Sequence, residues 1–190
     1  MAGGESNREI EIKLALAGAE DGARRLREAG FAAARERQHE CNMLYDWPDG
    51  LLRSQGRALR IRACGGRSTL TYKGKAEAGV HYSREELEME VSDGRTAELI
   101  LNRLGLSAAF RYEKFRTEYR RAGDNGIAAL DETPLGPFLE LEGEPEWIDK
   151  TAAELGFAIG HYIRKSYVRL QEEACAARGA ELEDMLFGAD

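Results

Sequence analysis

Glu9-Ile10-Glu11-Ile12-Lys13 alternates charged and apolar side chains without a break. Successive side chains of a β-strand point to opposite faces, so Glu9, Glu11 and Lys13 share one face while Ile10, Ile12 and the following Leu14 share the other. The pattern recurs along the chain with its charge sign changing. REELEMEV at 84–91 sets Glu86, Glu88 and Glu90 against Leu87, Met89 and Val91, and FLELE at 138–142 sets Glu140 and Glu142 against Leu139 and Leu141. ALRIRA at 58–63 sets Arg60 and Arg62 against Leu59 and Ile61, Lys73 and Lys75 follow Thr69 and Thr71 at one parity, and Lys114 and Arg116 share a side of their own strand. A solvated sheet usually mixes signs between neighbours, because like charges at adjoining positions repel. Sorted acidic and basic strands instead suit a sheet that curls, gathering carboxylates round a divalent cation and Arg and Lys round an anion.

The rest of the chain supplies the other strands and the helices. EDGARRLREA at 20–29 has helical spacing with Gly30 as its stop, and NMLYDW at 42–47 is a strand ending at the Pro48-Asp49-Gly50 turn. Gly65-Gly66 joins strands 58–63 and 69–75 as a hairpin. Ser92-Asp93 starts a helix running to Leu104 and closed by Gly105. Residues 110–121, 127–132 and 138–142 read as three more strands, 147–155 as a helix, 162–170 as a further extended segment, and 171–187 as a terminal amphipathic helix. The fold class is α+β: an antiparallel β-barrel of about eight strands, its charged face forming a tunnel, with flanking helices. Residues 1–190 are read as one domain, since no linker, repeat or low-complexity segment interrupts them.

Composition narrows the function classes. With 43% hydrophobic and 32% charged residues the chain has a globular balance, and a net charge of −7 argues against general nucleic-acid binding. The three cysteines, Cys41, Cys64 and Cys175, form no CxxC pair and lack a His spacing typical of zinc, so reduced thiols are expected. No secretory leader pattern and no spanning apolar run are present, which points to a cytoplasmic protein without membrane partners. His39, His81 and His161 stand apart in the sequence and read as surface or structural residues. Ser166 has no identifiable triad partners, and no GxxxxGK[ST] loop occurs.

Glu9-x-Glu11-x-Lys13 resembles the ExExK signature of the CYTH superfamily, the triphosphate tunnel metalloenzymes, which includes class IV adenylate cyclases, thiamine triphosphatases and inorganic triphosphatases. The resemblance continues through ALRIR at 58–62, LTYKGK at 70–75, REELEMEVSD at 84–93, Lys114-x-Arg116, ALDETPLGPFLELE at 129–142 and RKSYVRL at 164–170. It implies Glu9, Glu11, Asp131, Glu140 and Glu142 as metal-facing acids for Mg²⁺ or Mn²⁺, with Glu88 and Glu90 as further tunnel acids beside the Glu9, Glu11 and Lys13 signature in the catalytic set. It implies Lys13, Arg60, Arg62, Lys73, Arg116 and Lys165 as triphosphate-binding bases, joined by Lys75, Arg84 and Lys114. The expected substrate is a small-molecule triphosphate, namely ATP, thiamine triphosphate or inorganic triphosphate. Hydrolysis of its terminal phosphate is the leading expectation. Cyclisation of ATP to cyclic AMP and pyrophosphate is the alternative, and a non-catalytic polyphosphate-binding barrel is a third. The exposed helices of such a barrel leave room for a homodimer.

Overall fold

The computed structural model describes residues 8–188. β1 (Arg8–Ala15) pairs with β5 (Tyr82–Val91) on one edge and with β8 (Gly136–Glu142) on the other, which closes an eight-stranded antiparallel barrel. The remaining strands are β2 (Ala32–Asp46), β3 (Ala58–Cys64), β4 (Arg67–Lys73), β6 (Ser107–Arg120) and β7 (Ile127–Thr133), and the order round the barrel is β1-β5-β4-β3-β2-β6-β7-β8. Closure leaves each strand of this sheet with a partner on both sides.

The hairpin between β3 and β4 turns at Gly65-Gly66, both at positive φ (55° and 79°), a conformation that glycine adopts without a Cβ penalty. α1 (Ala19–Glu28) carries Glu20 and Asp21 in its first turn and Arg25 and Arg27 in its last, matching the helix dipole, and Asp21 pairs with Arg25 one turn on. α3 (Gly94–Arg103) is capped by the Asp93 side chain, which accepts from the Arg95 backbone N–H at 3.0 Å. α4 (Pro145–Glu154) begins on Pro145, whose missing N–H costs nothing in a first turn.

Three elements differ from the sequence reading. β2 starts at Ala32, ten residues before the expected Asn42, and the short helix α2 (Leu51–Ser54) follows it. Residues 162–170 form no strand of the barrel; Ile163 makes a single bridge to Lys13, and α5 (Tyr167–Ala177) already begins inside that segment. The terminal helix therefore occupies 167–177 rather than 171–187, and the stretch beyond it returns to the barrel as an irregular segment with Met185 bridging Tyr112. Among the described residues, no helix is long and apolar enough to cross a membrane.

The principal apolar core lies outside the barrel wall. Ile12, Leu14, Ala128, Leu130, Leu139 and Leu141 point outward from β1, β7 and β8 and are covered by Leu26 of α1 and by Ile148 and Ala152 of α4. A second cluster packs Tyr45 and Ile61 of β2 and β3 against Leu52 of α2 and Leu101 of α3. A third, built from Phe110, Tyr112, Phe138, Tyr167 and Met185, brings α5 and the tail against β6 and β8. With the aliphatic faces spent on the helices, the charged faces are left to the lumen. Leu139→Ala, at a position with 0% exposure, is expected to lower unfolding stability by about 2–5 kcal/mol in chemical denaturation while leaving the lumen charges in place.

Candidate functional site

The lumen is a cavity of about 780 Å³ whose wall includes Glu9, Glu11, Lys13, Arg60, Arg62, Lys73, Arg84, Glu86, Glu88, Lys114, Arg116, Glu140 and Glu142. Strand order sorts these charges more finely than the sequence does. The acid-bearing strands β8, β1 and β5 are consecutive in the barrel, while β3 and β6, which carry Arg60, Arg62, Lys114 and Arg116, flank β2 on the far side. One wall is therefore mainly acidic and the wall facing it mainly basic.

Register brings the acids of β1 and β8 into direct opposition. Glu11 is the cross-strand partner of Glu142, and Lys13 that of Glu140. Side chains so opposed stand about 5 Å apart at Cβ, where like charges destabilise. Lys13 relieves part of this, lying 2.7 Å from Glu11 and 3.2 Å from Glu140. Burial alone would push the Lys13 ammonium down, but Glu11 and Glu140 outweigh it and hold the group charged, above its ordinary value. Burial likewise opposes ionisation of Glu140, yet Arg116, Lys13 and Lys114 hold its carboxyl well below the usual range. Glu142 stands at the solvent-exposed end of β8, where partial desolvation, then the carboxylates of Glu9, Glu11 and Glu140, outweigh the opposing Arg116 and push its carboxyl up to about 7.

The bases are held by acids from neighbouring strands. Lys73 reaches Glu9 at 2.7 Å and Glu86 at 2.9 Å, Arg84 reaches Glu9 at 3.0 Å, and Arg60 lies 3.3 Å from Glu88. Glu40 of β2 sits between two basic strands, and although burial opposes it, Lys114 and Arg62 bring its carboxyl down to about 2. Among the described residues, Arg60 Nε, Asn42 Nδ2 and Thr69 Oγ1 in this region are buried donors without a hydrogen-bond partner, and Glu40 Oε2 is a buried acceptor without one. A buried, unpaired donor carries a desolvation penalty that an incoming oxygen ligand would remove.

Asp131 is the hub beneath the basic wall. Its Oδ1 accepts from Arg116 Nε at 2.6 Å, and its Oδ2 accepts from Arg116 Nη2 at 2.6 Å, Lys114 Nζ at 2.8 Å and the Tyr167 hydroxyl at 2.7 Å. Tyr167, whose phenol is pushed well above its ordinary value by burial and then by Asp131, stays protonated and donates. Its ring also lies 5.2 Å from Lys13 Nζ and 5.3 Å from Lys114 Nζ, so α5 fixes both ammonium groups.

Of the residues singled out by sequence, Glu9, Glu11, Lys13, Arg60, Arg62, Lys73, Arg84, Glu88, Lys114, Arg116, Glu140 and Glu142 line one cavity. Four others do not. Asp131 is fully buried with its oxygens occupied, and Glu90 is exposed at the far end of β5. Lys75 lies past the end of β4 and is exposed, so the parity it shared with Lys73 no longer applies. Lys165 is exposed and pairs with Glu173 at 2.7 Å; it borders a smaller neighbouring recess with Tyr82 and Tyr162. Sequence reasoning missed Glu40, Glu86, Asn42, Tyr112 and Tyr167 as site residues. Glu86 shares the parity of Glu88, Glu40 would have emerged had β2 been extended to its full length, and Asn42 lay inside the expected strand without a charge to mark it.

Comparison with known proteins agrees with this fold. A Methanocaldococcus jannaschii protein that carries a provisional adenylate cyclase name is 29% identical over 174 residues, covering 86% of this chain and 98% of the relative. The solved structure of the PH1819 protein of Pyrococcus horikoshii superposes with a TM-score of 0.74 at 28% identity, over 87% of this chain and 99% of that one. A Hippeastrum protein, described as a provisional adenylyl cyclase with a dominant triphosphatase activity, shares the fold at 21% identity and a TM-score of 0.63, over 92% and 97% of the two chains. The CYTH domain matches residues 7–167, and the chain belongs to the CYTH domain family.

Proposed function

We propose that the protein holds a small-molecule triphosphate in the barrel lumen beside a divalent cation, Mg²⁺ or Mn²⁺, and hydrolyses the terminal phosphate. The observation that carries this reading is the facing of two walls: Glu9, Glu11, Glu140 and Glu142 crowd together on β1 and β8, opposite Arg60, Arg62, Lys114 and Arg116. The donor set fits such a cation. Glu11 and Glu142 are opposed like charges, and all four acids offer the hard oxygen ligands that Mg²⁺ and Mn²⁺ prefer. When bound, the cation supplies neutralisation of charge on the phosphate oxygens.

The chain's own groups do the positioning. Arg60, Arg62, Lys73 and Arg116 grip phosphate oxygens, and the unpaired Arg60 Nε and Asn42 Nδ2 gain acceptors. Asp131 and Tyr167 hold Lys114 and Arg116 in place, so these cations are oriented before substrate arrives. The proton of the attacking water passes to a lumen carboxylate. The triphosphatase activity described for the Hippeastrum relative supports hydrolysis. A second reading, cyclisation of ATP, draws on the cyclase name of the Methanocaldococcus relative and on the apolar Leu44, Phe110, Val168 and Leu182 that adjoin the charged lumen and offer room for a base and ribose.

Incubation with Mg²⁺ or Mn²⁺ and, separately, ATP, thiamine triphosphate and inorganic triphosphate is expected to release inorganic phosphate. Cyclic AMP with pyrophosphate would establish the cyclase instead, and no turnover of any of the three would remove the enzyme reading. Glu11→Gln should lower the metal-dependent rate by about 10²-fold or more with a smaller effect on folding. Arg60→Ala is expected to weaken triphosphate affinity by about 1.5–3 kcal/mol, read by calorimetric titration.

The pH dependence of the cation-free protein has a defined sign. The folded-state value of Glu142, about 7, lies above its ordinary 4.5, so the folded chain holds this proton more tightly and the group's contribution to stability falls as pH rises from about 4.5 to about 7. In chelator, the melting temperature of Glu142→Gln should decline less over that window than that of the wild type, and saturating Mg²⁺ should narrow the difference.

A further inference from the structure

His39 and Cys41 lie two residues apart on β2, on the face opposite to the buried Glu40 and Asn42, and so point away from the lumen. Glu113 on β6 is the direct cross-strand partner of Cys41. Folding thus joins three ligand types that are separated in the chain. His39 Nδ1 stands 3.8 Å from Cys41 Sγ, and His39 Nε2 stands 3.5 Å from Glu113 Oε2. One ligand atom from each residue falls within 4.8 Å of the others. With metal distances of about 2.3 Å to sulfur and about 2.0–2.2 Å to nitrogen or oxygen, tetrahedral zinc needs ligand atoms roughly 3.3–3.6 Å apart. The two short contacts use opposite nitrogens of the imidazole, only one of which can ligate, so from the 4.8 Å limit side-chain rotation must close a gap of up to about 1.5 Å.

The surroundings favour the same assignment. Glu113 keeps Oε1 on Arg111 at 2.8 Å, which leaves Oε2 turned towards His39. The imidazole is steadied by Phe115, its ring centroid 4.8 Å away, and Arg37 rests on that same phenyl ring. Such outer contacts orient ligands before a metal arrives. The thiolate and the carboxylate together balance a dication, and the nearby Arg37 is already paired with Glu132. All three cysteines are free thiols.

We propose that His39, Cys41 and Glu113 form a binding site for a zinc-class dication on the outer barrel wall, its fourth position open to solvent. Imidazole and thiolate select a borderline-soft ion, in contrast to the all-oxygen acids of the lumen. The ion clips β2 to β6 beside a weak stretch of their ladder: the register of this pair shifts between Ala33 and Arg35 and again between Arg35 and Gln38, just before the site.

The test uses the full-length protein and Co²⁺ as a spectroscopic stand-in for zinc. Wild type and the control Cys64→Ser are expected to show thiolate-to-cobalt charge-transfer absorption at one equivalent, bleached by added Zn²⁺, and Cys41→Ser is expected to lack it. His39→Ala should weaken zinc affinity by at least about 10-fold in competition with a chromophoric chelator, and zinc should raise the melting temperature of wild type but not of Cys41→Ser. Absence of the sulfur signature in wild type, or its persistence in Cys41→Ser, would overturn the site. Neither outcome depends on turnover in the lumen.

Discussion

Pairing of β1 with β5 on one side and with β8 on the other is the constraint on which the rest depends. Once the sheet closes, each strand must choose which parity faces inward, and the aliphatic parity has already been claimed by α1, α3 and α4 outside. Charged side chains are then driven together at a density that water alone would not favour. The protein answers with a continuous lattice of opposite charges, in which Lys13, Lys73, Arg84 and Arg116 each touch two acids or share one with a neighbour. Among the described residues, the lattice is incomplete at Glu142 and Glu40 Oε2 among the acids and at Arg60 Nε, Asn42 Nδ2 and Thr69 Oγ1 among the donors. Those gaps are of complementary sign, and a metal-bound polyanion is complementary to both.

Much of this architecture was legible in the chain because period-two alternation survives wherever one face of a strand is buried and the other carries charge. β1, β3, β5 and β8 meet that condition, and their charged parity was identified from alternation, although the site residues taken from β5 left out Glu86 and included the exposed Glu90. The first part of β2 does not. Residues 32–39 are exposed on both faces, so AAARERQH shows no alternation and its Ala and Arg content suggests no strand. Extending β2 only to Asn42 hid Glu40 from view. Parity also misleads where a strand stops: β4 ends at Lys73, and Lys75 loses its place in the wall.

The C-terminal segment was misread for a different reason. RKSYVRL alternates well enough to resemble a strand, yet Ser166 caps α5, and its side chain accepts from the Arg169 backbone N–H. Tyr167 enters the site only through that helix, from a position about 36 residues beyond the Asp131 it contacts. Contacts of that kind arise from tertiary docking rather than local pattern, and no periodicity announces them. The same holds for His39, Cys41 and Glu113, whose proximity requires the β2–β6 register.

Placing the aliphatic core outside the wall has a consequence for how such a chain can change over generations. Ile12, Leu14, Leu139 and Leu141 supply cohesion from outside the wall, while their immediate neighbours in sequence line the lumen. Selection on substrate choice can therefore act on every second residue of a strand with limited penalty from the residues between. An inside-out barrel of this kind is a scaffold whose chemistry can drift while its packing stays still.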